Sequence, residues 1–322
     1  MRIFITGITG FVGSHLADLL VRSGDEVIGT SRDGRWRYGV SEETRRGIPV
    51  RPWDIADTAP TEMVDWLIDF QPDAVIHLAG ASVPADCGSV EPNAVAISSN
   101  VEGTKSVLDL VQRCQIQPHF VHASSCHVYP PSPDRESKVS EMDKVGPANG
   151  YGKSKLESER ICLESHQHLG LPLTIVRGFQ HTGPRQEARM LLPEWTLQAV
   201  QGSDCLQVRC LNTQLDLMDV RDTVAIYANL AKLSEGQGVL NVGCGVGTHG
   251  RDILNALRDV AGRDLGVQSK HTASRFNPLA DVSRLHEVLN LQPQFSLRDT
   301  VQATWDFWTD LENQRNDAGQ PE

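Results

Sequence analysis

No apolar run in this 322-residue chain approaches the roughly 20 residues that a membrane-spanning helix needs. Positive charge is also scarce. Thirty lysines and arginines face 41 aspartates and glutamates, a net charge of −11, so no nucleic-acid surface is expected. Seven cysteines are scattered without any CxxC pair, and their number is odd. That usage fits neither a disulfide framework nor a metal site, and a reduced, cytoplasmic setting is expected. Arg2 already opens an apolar run, so no charged-then-apolar leader is expected before it. Repeats, low-complexity tracts and linkers are missing too, which points to one large α/β unit or two lobes packed around a shared cleft. The polar tail, residues 313–322, is expected to fray.

What is present starts with Arg2-Ile-Phe-Ile-Thr6-Gly7-Ile-Thr-Gly10-Phe11-Val12-Gly13. A short apolar strand meets three glycines spaced three apart, and a helical pattern (about 11–22) comes at once after them. Such a turn aims backbone N–H groups and the positive end of a helix dipole at a pyrophosphate. Further apolar runs at 26–31, 48–53, 73–78, 119–123, 173–177 and 238–242 read as strands, and 62–70, 94–114 and 151–169 as helices. Short strands alternating with helices predict a parallel sheet covered on both faces, with ligands beyond the carboxyl ends of its strands. The expected division is a doubly wound α/β dinucleotide domain over 1–176, rejoined by about 216–247. A smaller substrate lobe takes 177–215 and 248–322.

At the end of the second strand stands Gly29-Thr30-Ser31-Arg32, where a site for NAD carries an acidic residue. Two hydroxyls and a guanidinium suit a 2′-phosphate, which favours NADP, although Asp33 comes next and keeps NAD open. Tyr151 and Lys155 are four apart at the start of a helix and share a face. A phenol with a pKa near 10 is a poor base near neutrality, and a neighbouring ammonium favours its ionised form. Ser125 lies where the fifth strand ends, able to meet a substrate oxygen beside that phenol. Asn100 sits midway along a helix, where an amide side chain needs a partner.

In this order the residues resemble the extended short-chain dehydrogenase/reductase family, whose Rossmann domain carries a smaller C-terminal substrate lobe and which modifies sugars on nucleoside diphosphates. The glycines 7, 10 and 13, Asp54 with Ile55 after strand three, His77-Leu78-Ala79-Gly80, Asn100-Val101 and the set Ser125, Tyr151 and Lys155 all match its pattern. The resemblance implies hydride passing between a sugar carbon and a nicotinamide. Tyr151 would be general acid/base, Lys155 would hold the cofactor ribose and tune Tyr151, and Ser125 would bind the reacting oxygen. It also implies a homodimer seamed by the helices at 94–114 and 151–169.

Phe179-Gln180-His181-Thr-Gly-Pro-Arg185 is similar to the GDP-mannose branch of that family. A 4,6-dehydratase there needs a carboxylate within two residues of its Ser or Thr, whereas Ser125 is followed by Cys126 and His127. Reduction of a 4-keto sugar is therefore the first expectation and 4-epimerisation, as in UDP-glucose 4-epimerase, the alternative. Dehydration and a non-catalytic cofactor-sensing module rank lower. His127 falls where a GDP-fucose synthase keeps an acid cysteine, so either acid/base work or simple pocket lining is open to it. Ser82, Ser125, Cys126, Gln180 and His181 are the expected substrate contacts. Gln180 replaces the family's Asn, and Leu215 stands where the family places a phosphate-binding Arg. Arg209 and Arg275 are the expected substitutes. Cys114, Cys162, Cys205 and Cys210 are expected to be core or half-buried, and Trp305, Phe307 and Trp308 to pack a C-terminal helix.

Overall fold

The computed structural model describes residues 1–131, 136–271 and 275–318. Its centre is a seven-stranded sheet, parallel throughout. The strands are β1 (Arg2–Thr6), β2 (Glu26–Ser31), β3 (Val50–Pro52), β4 (Ala74–His77), β5 (His119–Ser125), β6 (Leu173–Gly178) and β7 (Gly238–Val242). In space they run 7-6-5-4-1-2-3, so the chain winds one way from β1 and then back the other. The carboxyl ends of β1 and β4 are neighbours where the order reverses, and a crevice opens there.

Strand alternation sends successive side chains to opposite faces. Ile3 and Ile5 of β1, Ile76 of β4 and Val121 of β5 enter one core with Leu16 and Leu20 of the helix Phe11–Arg22. Phe4, Val75 and Phe120 enter the other, against Leu67 of Thr61–Phe70 and Val107, Leu110 and Val111 of Gly103–Arg113. Ile161 and Cys162 of the helix Gly150–Leu169 close that second face. Apart from the helix read at 94–114, these strands and helices lie within a residue or two of the positions read from periodicity.

A smaller core gathers Leu192, Trp195 and Ala199 of the helix Leu191–Val200 with Ile253, Leu254 and Leu257 of Gly250–Ala261. Two parallel strands, Cys205–Cys210 and Gly266–His271, and Val301 of the helix Leu297–Ala318 complete it. The strand Thr213–Asp219 leads back to the helix Val220–Ala231, which packs on the first sheet core.

Four details depart from the sequence reading. The helix Ser283–Leu289 buries Leu285 in the first sheet core, so part of 248–322 belongs with the sheet and not with the lobe. The C-terminal helix runs on to Ala318 through much of the polar tail, helped by an Arg315–Glu312 pair one turn apart. Cys205 is exposed, because it faces outward at the end of a two-stranded edge. The helix over 94–114 is not regular. Ala94–Ala96 passes through a π turn, Ile97–Glu102, before Gly103–Arg113. Among the described residues no helix is long and apolar enough to cross a membrane.

Candidate active site

The glycine turn is shaped by atoms that leave no space for side chains. Gly7 has φ +72°, and a Cβ on it would lie 2.8 Å from the Ala79 nitrogen. A Cβ on Gly13 would stand 2.3 Å from the Gly7 carbonyl oxygen and 2.8 Å from Ile8 Cα, so only glycine lets the helix start against the turn. Gly10 is the N-cap and brings no capping side chain, which leaves the first N–H groups of the helix beginning with Phe11 and Val12 to an external acceptor. This cradle fits the pyrophosphate of a dinucleotide.

The adenosine end of such a ligand would meet the loop after β2. Ser31 is buried and its hydroxyl accepts the Gly34 N–H at 3.1 Å, so it shapes the turn. Arg32 has an 81% exposed side chain and pairs loosely with Asp54, Nε to Oδ2 3.5 Å. Asp54 also accepts the Ala56 N–H at 3.1 Å. Ile55 is buried, and a Cβ on Gly103 would lie 2.6 Å from its Cδ1, so it is a packing residue at this end.

At the end of β4 a directional chain of hydrogen bonds ties the turn to the π segment. The Thr104 hydroxyl donates to the Asn100 carbonyl (2.7 Å), so it accepts from Nε2–H of His77 (3.1 Å). His77 Nδ1 then accepts from the Thr6 hydroxyl (2.7 Å), which itself accepts the Ala79 N–H (3.3 Å). Burial lowers His77 to about 3, so it is a neutral strut. Leu78 donates its N–H to the Thr6 carbonyl (3.2 Å). Asn100 is 1% exposed and donates to the Ala81 carbonyl (3.2 Å) and the Ser154 hydroxyl (2.9 Å), which answers its need for partners. Its Oδ1 is buried without a donor and faces Gly80, where a Cβ would lie 2.6 Å from it and 3.6 Å from Lys155 Nζ. An orphaned acceptor beside a bare glycine is a further mark of a ligand groove.

Tyr151 and Lys155 sit in the first turns of Gly150–Leu169, which Asn149 caps by accepting the Gly152 N–H at 2.9 Å. Tyr151 is 7% exposed, packed on Cys87 and Ala96, with the His127 ring edge-on at 5.4 Å. Burial pushes its phenol above the ordinary value, and nearby Ser125 pulls the other way. Here the sequence reading needs correction. It has Lys155 favouring the phenolate, but Nζ donates to the Ala123 carbonyl at 2.9 Å, and desolvation outweighs every other influence on the phenol. Lys155 is itself buried and lowered to about 8.

On the facing side, Cys126 is 3% exposed and burial raises its thiol to about 12, which makes it a poor acid. Gln180 donates to its sulfur (3.3 Å), leaving the amide oxygen buried without a partner. Cys126, His127 and Asn149 line a cavity of about 150 Å³ that reaches Asn277 and Pro278 of the C-terminal segment. His181 is not among the residues lining it. Its ring stacks on Phe11 (5.8 Å, 16°) and its Nδ1 pairs with the Phe179 carbonyl, so it stands against the glycine turn. Ser82 is exposed on the loop after β4. Arg209 is exposed on the edge strand Cys205–Cys210, and the side chain of Arg275 lies outside the described residues.

Sequence reasoning missed several groups around this site. Asn149 is signalled by Asn-Gly directly before the helix. Arg189 holds Asp86 in a two-pronged pair (2.9 and 2.5 Å), joining the loop after β4 to the start of Leu191–Val200. Glu159 and Arg177 form a buried ion pair at 2.8 Å beneath Ser124. Glu159 could have been found from its place eight residues after Tyr151, on the same helix face. Among the described residues no group of three or more His, Cys, Asp or Glu side chains could hold a metal ion.

Residues 3–243 match the model of the NAD dependent epimerase/dehydratase family. A GDP-6-deoxy-D-mannose reductase of Pseudomonas aeruginosa is 25% identical over 316 residues, covering 95% of this chain and 97% of that protein. A UDP-glucose 4-epimerase of Rhizobium leguminosarum bv. trifolii is 26% identical over 330 residues, covering 95% and 96%. The solved structure of RMD from Pseudomonas aeruginosa complexed with NADPH superposes with a TM-score of 0.79, at 25% identity, over 96% of this chain and 99% of that one. The chain is an enzyme of the NAD-dependent epimerase/dehydratase family.

Proposed function

We propose that this enzyme reduces a 4-keto sugar carried on a nucleoside diphosphate, with NADPH as the preferred cofactor. One observation carries the reading. Ser125 stands near enough to Tyr151 to act on its phenol, and Lys155 stands one helical turn on, beside the groove lined by Gly80. A bound nicotinamide supplies or accepts the hydride. Ser125 holds the reacting oxygen, Tyr151 delivers a proton to it, and Lys155 orients the cofactor ribose. Burial raises the phenol's pKa and so favours the protonated form that a reductase starts from. An epimerase must first remove a proton. The likeness to the Pseudomonas GDP-6-deoxy-D-mannose reductase supports the reading. Arg32, at the end of β2, is the group offered to a 2′-phosphate.

The likeness to UDP-glucose 4-epimerase supports a second reading, 4-epimerisation with internal recycling of the nicotinamide. Stoichiometry separates the two. With GDP-4-keto-6-deoxymannose, a reductase oxidises one NADPH per sugar, whereas an epimerase acting on UDP-glucose consumes no cofactor. Tyr151→Phe should lower turnover by roughly 10²–10⁴-fold while NADPH binding holds, and unchanged turnover refutes the assignment. The reading includes a cytoplasmic homodimer. Val95 and Ile97 on one proposed seam helix and Leu163 on the other are exposed apolar side chains, and sedimentation at micromolar concentration tests their pairing.

A further inference from the structure

Tyr151, Lys155 and Glu159 recur every four residues along one helix and therefore share a face. The first two reach the groove. The third does not. Glu159 is 2% exposed and turns under the end of β5, where its Oε1 accepts the Ser124 hydroxyl at 2.5 Å. Arg177 of β6 lies directly across from Ser124 in the sheet register and saturates the same carboxylate, Nε to Oε1 3.0 Å and Nη2 to Oε2 2.8 Å. Its remaining arm donates to the Tyr129 hydroxyl (3.0 Å), and Tyr129 donates to Asn241 of β7 (2.8 Å). Tyr129 closes the short turn that carries Cys126 and His127.

A buried ion pair is a weak source of stability. Removing two charges from water costs as much as their attraction returns, and apolar residues of similar volume often do as well. The pair has a property that apolar residues lack, which is direction. From the pair the bonds run to Ser124 and Tyr129, and from Tyr129 to Asn241, so they join five separate pieces: the helix Gly150–Leu169, β5, β6, Tyr129 at the end of the turn 126–128, and β7.

We infer that Glu159 is a positioning residue: through Ser124 it fixes the end of β5 against the catalytic helix and so sets where Ser125 stands relative to Tyr151. This rests on the Ser125–Tyr151–Lys155 reading above. Glu159 acts at a distance of one residue from the reacting hydroxyl and touches no substrate. Burial lowers Lys155, and Cys87 after β4, Cys162 on the same helix and then Glu159 act against that shift. The other titratable groups facing that amine are His77 of β4 and His122 of β5.

Two variants test it. Glu159→Gln removes the charge and keeps the shape. Glu159→Met combined with Arg177→Met replaces the whole pair by apolar volume, so no buried guanidinium is stranded if the single variant folds poorly. Both are assayed with GDP-4-keto-6-deoxymannose and NADPH beside Tyr151→Phe, and NADPH affinity is measured across pH 6–10 by fluorescence. In both, kcat should fall roughly tenfold to a hundredfold with KM within about twofold, the pattern of a misplaced reacting group. In Glu159→Gln, Lys155 loses a neighbouring anion, so the pH at which NADPH affinity declines should move down from about 8. A folded double variant with wild-type kcat, or a Glu159→Gln profile that does not move, overturns the inference while leaving Tyr151 in place. Turnover surviving Tyr151→Phe overturns the parent reading, and the inference with it.

Discussion

The two walls of the cleft are made differently. The glycine wall is backbone: Gly7, Gly10, Gly13 and Gly80 present main-chain atoms, and a Cβ at Gly7, Gly13 or Gly80 would collide with a neighbour. The opposite wall is side chains drawn from distant segments, with Cys126 and His127 after β5, Gln180 after β6 and Asn277 near the C-terminus. A wall of backbone tolerates few changes and recognises what related enzymes share. A wall of side chains can change one residue at a time, and it is where Gln180 departs from the family pattern.

The largest effect that would break this contrast is expected at Gly13. Gly13→Ala places a methyl 2.3 Å from a carbonyl oxygen that cannot yield without shifting the turn. It should cost about 1–3 kcal/mol of stability and most of the NADPH affinity, read by urea unfolding and fluorescence titration. Near-normal binding would show that the turn adapts as the side-chain wall does.

Acid should separate two regions of the chain by sign. His77 is lowered to about 3 and His122 well below its usual value, both by burial, so between those values and 6.5 the unfolded chain binds more protons. Stability from these residues is complete above pH 6.5 and is lost as pH falls toward 3. Asp216 of the strand Thr213–Asp219 is raised by burial, although it accepts the Cys244, Gly245 and Ala280 N–H groups, so acid favours its folded form. Amide exchange at pH 4.5 against pH 7 should therefore show protection lost first along β4 and β5, and later at Cys244, Gly245 and Ala280. The reverse order would contradict the assignment.

The smallest effect should come from Arg32. Its guanidinium is largely in solvent, where screening weakens its contacts. Arg32→Ala should narrow the preference for NADPH over NADH by about tenfold or less, measured as a ratio of Kd values. An unchanged ratio removes Arg32 from the 2′-phosphate proposal.

Legibility in the sequence divides along the same line. The glycine spacing, the strand alternation and the Tyr151–Lys155 pair are local, so periodicity and a fixed offset reveal them. The Glu159–Arg177 pair and the Arg189–Asp86 clasp join residues 18 and 103 apart, and no local pattern encodes such partners. The phenol's state escapes the sequence for a related reason. An offset of four puts an ammonium near a phenol, but the Ala123 carbonyl that captures the amine arrives from another strand. Arg209 reads as an available phosphate ligand because sequence shows charge and not direction, and its strand turns it outward.

The π turn at Ile97–Glu102 amounts to an α-helix with one surplus residue. Excising a single residue there would restore regular coiling and swing the upstream turn by about 100° relative to the downstream helix. Asn100 would then no longer face Gly80 while Thr104 still reached His77. The insertion acts as a phase adjustment that lets one helix serve the groove with one turn and the interior with the next.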